Sequence, residues 1–82
     1  MTREQIFEAV KANVLTVLPD LNPESIVVTA SLTELGANSV DRVEVAIYSM
    51  ESLQLKIPLV ELHGARNLAD LVDLFFARLN PR

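Results

Sequence analysis

Ile6, Val10, Val14 and Leu18 stand four residues apart, the spacing that lines one face of a helix. The spacing predicts a helix over residues 3–17, with Phe7 and Val17 beside that stripe and Glu4, Glu8, Lys11 and Asn13 on the other face. Thr2 is the expected N-cap and Pro19 the stop. A second helix is expected over residues 39–53. At about 100° per residue, Leu53, Ala46, Met50, Val43, Ile47 and Val40 fill one arc of about 140°. Glu51, Glu44, Tyr48 and Asp41 follow on one side of it, so Val40 and Ile47 sit where the apolar face meets the acidic one. Leu59 to His63 reads as a short helix, ended by Gly64 in a left-handed cap. Asn67 and Asp70 form a capping-box pattern before a last helix marked by Leu68, Leu71, Val72, Phe75 and Leu79, ending near Asn80-Pro81.

Residues 19–38 form a long connection, with one turn expected at Pro23-Glu24-Ser25-Ile26. Ile26, Val28, Leu32 and Leu35 are expected to pin it to the helices. The one strand-like fragment, Val27-Val28, makes no sheet. The fold class is therefore all-α, a four-helix bundle with three main helices, a short third helix and a long loop after the first. Its 82 residues allow a single domain, 1–82.

Composition narrows the function. Seven basic against eleven acidic residues leave a net charge of −4. Nucleic acid is not an expected partner, and surfaces that present Lys or Arg are. With no cysteine there is no disulfide, thiolate metal site or thiol nucleophile. No apolar run approaches the roughly 20 residues of a membrane span, and the N-terminus lacks the apolar stretch of a signal peptide. A cytoplasmic protein is expected. The chain starts at Met1 and ends soon after its last helix, which fits a discrete protein.

Catalytic sets are missing. His63 is the sole imidazole, and without cysteine it builds no usual zinc site; a surface or capping role suits it better. Asp41 and Glu44, one turn apart, read as a solvated acidic face more readily than as an acid–base pair. Two glycines make neither a P-loop nor a dinucleotide fingerprint. No enzyme is expected.

One segment stands apart: Leu35-Gly36-Ala37-Asn38-Ser39-Val40-Asp41-Arg42-Val43-Glu44. Gly36 permits a tight turn, and Asn38 or Ser39 caps the helix that follows. On local physics alone Ser39 is a capping residue. A helix N-terminus also favours an anion, so a serine there suits a phosphodiester, with Asn38 adding a neutral hydrogen-bonding group.

In these residues the chain resembles an acyl carrier protein. The family pattern Leu-Gly-x-Asp/Asn-Ser-Leu/Val/Ile-Asp-x-Val-Glu falls on residues 35–44, and Ile57-Pro58 follows at the family's usual distance. The resemblance implies that Ser39 carries 4′-phosphopantetheine, installed from coenzyme A by a phosphopantetheinyl transferase. The arm's thiol would hold the acyl group, so the reactive sulfur arrives on the cofactor. Partners would dock on Val40, Asp41, Glu44, Ile47 and Glu51.

Asn38, Arg42 and Tyr48 depart from fatty-acid carriers. Gly36 to Arg42 is more similar to free-standing carriers of bacterial polyketide clusters, in particular those of a β-branching cassette. That likeness implies a monomer served by an acyltransferase and a ketosynthase-like decarboxylase, passing acetyl to a 3-hydroxy-3-methylglutaryl-CoA (HMG-CoA) synthase homologue. The alternatives are a fatty-acid carrier, a peptidyl carrier and an unmodified helical interaction module.

Overall fold

The computed structural model describes residues 1–80. Three α-helices dominate: α1 (Arg3–Val17), α2 (Ser39–Leu53) and α3 (Leu68–Leu79). Two 3-10 helices, Pro23–Ser25 and Leu59–Gly64, interrupt the connections. Among the described residues there is no strand. None of the helices is long and apolar enough to cross a membrane.

Local chemistry sets each boundary. Thr2 accepts from the Gln5 amide while the Gln5 side chain accepts from the Thr2 amide, closing a capping box at α1. Asn22 caps the Pro23–Ser25 turn through the Glu24 amide. Asn67 caps α3 by accepting from the Asp70 amide. The Asp70 carboxylate reaches back to the Arg66 amide and not to that of Asn67, so the expected box is displaced by one residue. Pro81 lies outside the described residues, and α3 ends at Leu79 with Asn80 as its cap.

Gly64 is not the left-handed cap that was expected. It belongs to the 3-10 helix, and the chain leaves through Ala65 in an extended conformation. The left-handed position at a helix end is instead Gln54, with φ of 55°, closing α2. The tighter 3-10 turn already bonds its last amides three residues back, the Ala65 amide donating to Leu62.

Ile6, Val10 and Val14 of α1 are fully buried. They meet Val45, Met50 and Leu53 of α2 and Leu68, Leu71, Val72 and Phe75 of α3 in one cluster, with Ile26 and Ile57 added from the connections. Helix α1 packs against both α2 and α3, whereas α2 and α3 barely touch each other. Arg3 reinforces the α1–α3 contact. Its guanidinium lies 4.0 Å over the Phe76 ring and pairs with Asp73 at 2.8 Å.

The long connection is held through its backbone as well as its side chains. The first amides of α3, Leu68 and Ala69, donate to the carbonyls of Ala30 and Val28 at 2.9 and 2.8 Å. Ile26 is buried, and Leu32 and Leu35 pack on the core as expected. Val28 departs from that expectation: its carbonyl binds α3 while its side chain stays exposed.

Helix α2 is turned relative to its apolar arc. Its buried residues are Val45, Ala46, Ser49, Met50 and Leu53, a face rotated by roughly 80° from the expected one. Val43, placed mid-arc by the sequence, is 43% exposed. The small Ser49 side chain is completely buried, and its hydroxyl has no hydrogen-bond partner among the described residues. Burying an unsatisfied hydroxyl is unfavourable. Ser49→Ala is therefore expected to raise stability by about 1 kcal/mol, read as a higher urea midpoint at unchanged denaturant slope.

Candidate functional site

The turn that starts α2 is built from Ser31 to Ala37. Ser31 and Glu34 exchange side-chain-to-amide hydrogen bonds of 3.0 and 3.1 Å. The Ala37 amide returns to the Leu32 carbonyl at 2.9 Å. Gly36 sits at φ of 96°, a conformation that disfavours any side chain although open space surrounds the position.

Asn38 then caps the helix. Its side chain accepts from the Asp41 amide at 2.8 Å, and Asp41 accepts from the Asn38 amide at 3.1 Å. The two capping candidates are thereby separated: Asn38 is the cap and Ser39 the first helical residue. Ser39 is exposed. Its hydroxyl stands at the positive end of the helix with no role in starting it.

Arg42, one turn further, was seen in the sequence only as a departure from the family pattern. Its Nη2 donates to Ser39 Oγ at 3.3 Å and its Nη1 to Thr33 Oγ1 at 3.4 Å. The guanidinium thus bridges the turn and the serine. An exposed hydroxyl, a helix N-terminus and an adjacent permanent cation together fit a phosphodiester.

The five expected docking residues share α2 but differ in state. Val40 is 66% exposed, Ile47 and Glu51 are exposed, and Glu44 is half-buried. Asp41 is also half-buried, with its carboxylate engaged in the capping box. Tyr48, one turn on from Glu44, donates its hydroxyl to Glu44 Oε2 at 3.2 Å.

Beside Ser39 opens a cleft of about 490 Å³, lined by residues of α2, the Ser31–Thr33 turn, the Leu59–Gly64 helix, the Ala65–Asn67 connection and the start of α3. It lies where α2 and α3 fail to meet. His63 is on its rim and is exposed. No group of three or more His, Cys, Asp or Glu gathers for a metal among the described residues. Sequence periodicity could not reveal this cleft, because residues from 31–33, 39–46 and 59–71 form it together.

Residues 8–75 match the family described as phosphopantetheine attachment site. The chain is 38% identical over 79 residues to the polyketide biosynthesis acyl-carrier-protein AcpK of Bacillus subtilis, covering 96% of both. It is 32% identical over 79 residues to the lovastatin nonaketide synthase polyketide synthase component of Aspergillus terreus, covering 96% of this chain and 3% of that one. A chain from the crystal structure of the curacin-pathway HMG synthase in complex with acetyl donor-ACP superposes with a TM-score of 0.86 at 40% identity, covering 94% of this chain and 99% of that one. The chain belongs to the phosphopantetheine-attachment family, whose members carry covalent 4′-phosphopantetheine. Within that family it is a polyketide acyl carrier protein, a non-catalytic carrier of acyl groups and a substrate of modifying enzymes.

The Tyr48–Glu44 contact has a measurable signature. The hydrogen bond to Glu44 and the charge of the same carboxylate, then burial and the Glu51 charge, push the Tyr48 hydroxyl above its ordinary value. Its raised value means that the pair's contribution is present at neutral pH and is lost as pH rises through the Tyr48 ionisation. Tyr48 is the sole tyrosine, so ultraviolet absorbance titration follows it directly. Glu44→Gln is expected to lower its ionisation toward that of free tyrosine.

Proposed function

We propose that Ser39 bears the phosphopantetheine arm and that the chain, one carrier domain over residues 1–82, works as a donor carrier in cytoplasmic polyketide β-branching. The observation that carries the attachment is the exposed Ser39 hydroxyl at the head of α2, beside the Arg42 guanidinium. A phosphopantetheinyl transferase presents coenzyme A to that oxygen. The oxygen forms a bond to phosphorus, the nucleotide part departs, and the hydroxyl proton leaves to a base. Asn38 and Gly36 act indirectly, holding the turn so that Ser39 faces outward.

The donor role draws on the 40% identity to a chain of the HMG synthase complex with its acetyl donor carrier. An acyltransferase loads malonyl onto the arm. A ketosynthase-like decarboxylase removes carbon dioxide, and a proton takes its place on the terminal carbon. The resulting acetyl passes to an HMG-CoA synthase homologue. The carrier works as a monomer and docks these enzymes through Val40 and Ile47, with Glu44 and Glu51 supplying charge and Asp41 beside the arm. Such a surface gives fast, charge-steered encounters with basic partners.

Incubation with coenzyme A and a broad-specificity transferase is expected to add the arm's mass to wild type and nothing to Ser39→Ala. An addition that survives in Ser39→Ala moves the attachment elsewhere. Glu44→Lys and Ile47→Ala are each expected to slow acetyl transfer to the synthase several-fold while leaving helical circular dichroism unchanged. Wild-type rates in both variants would remove α2 from the interface.

A further inference from the structure

The charge lining the cleft beside Ser39 is opposite in sign to the charge of the whole protein. The chain carries eleven acidic residues, yet no Asp or Glu lines this cleft, whereas Arg42, Arg66 and His63 do. The described arginines divide accordingly. Arg3 is paired with Asp73 and Arg78 with Glu61. Arg42 and Arg66, both on the cleft, have no carboxylate partner among the described residues. Val43, Leu62, Leu68 and Leu71 also line the cleft. The volume of about 490 Å³ falls in the range of roughly 300–1,000 Å³ that holds a drug-sized ligand. Two guanidiniums without a carboxylate partner, of which Arg42 bonds only the Ser39 and Thr33 hydroxyls, suit with this apolar lining a guest that is anionic at two points.

We propose that Arg66 makes this cleft selective for a carboxylated acyl group on the carrier's own arm, with Arg42 meeting the phosphodiester and Arg66 the carboxylate. The inference rests on Ser39 as the attachment point. It adds that the charge of the cargo governs whether the arm stays in the cleft. A malonyl end keeps its attraction to Arg66, and an acetyl end has lost it. Only this difference in affinity shifts the arm between retained and presented states. Decarboxylation thereby releases the cargo for transfer.

NMR of isotope-labelled apo, arm-bearing, acetyl-loaded and malonyl-loaded protein tests this, with intact mass proving each loading. The Arg42 side-chain Nε–H signal is expected to move in all three armed forms relative to apo. The Arg66 signal is expected to move in the malonyl form alone. That movement should shrink when ionic strength rises from about 0.1 M to about 1 M, which cuts the screening length from about 10 Å to about 3 Å. Arg66→Gln, an exposed side chain with no cap to break, should make malonyl and acetyl spectra coincide around the cleft while leaving the Arg42 response. Loaded protein whose malonyl and acetyl spectra already coincide in wild type overturns the proposal. So does an Arg66 shift of equal size with acetyl. Absence of any mass gain is a different failure, that of the attachment itself.

Discussion

Ile6, Val10 and Val14 line one stripe of α1, and two helices pack on that stripe at once. Because α2 and α3 both spend their apolar faces on α1, they scarcely meet. The space between them falls to the long connection and the Leu59–Gly64 helix, which close it incompletely. The cleft is thus a by-product of core packing, and the first residue of α2 lines it. Core, opening and serine are consequences of one arrangement.

Helix α2 carries more apolar side chains than the core uses. Val45, Met50 and Leu53 go inward, while Val40, Val43 and Ile47 remain exposed. An isolated exposed valine means little, but three on one flank of a helix, bordered by Glu44 and Glu51, make a strip with contact area and charge together. Tyr48 holds the Glu44 carboxylate from one turn away. The polar side of that strip therefore has a preferred geometry before any partner arrives.

Elements governed by local rules were legible in the sequence. All three long helices, Thr2 as cap, the Pro23 turn and the short helix before Ala65 follow from spacing, proline and capping chemistry that act within a few residues. The Ser39 motif was legible through resemblance. Features set by distant neighbours were not. The rotation of α2 depends on where α1 lies, and Ser49 counts as polar in any pattern although the fold buries it. Val28 reads as a pinning side chain, but α3 uses its carbonyl. Gly64 signals a cap to any reader of sequence, and the left-handed turn went to Gln54. Arg42 looked like a stray cation on an acidic helix because its bond to Thr33 spans a loop.

The amides of Leu68 and Ala69 end on carbonyls about forty residues earlier in the chain. The strap over the second half of the first connection is complete only with the last helix in place to receive it, so the two bonds carry the closure entropy of a loop of about forty residues. The same coupling runs in reverse in the native state: fraying of the first turn of α3 unfastens the segment leading to Gly36, and the serine's mooring loosens with it.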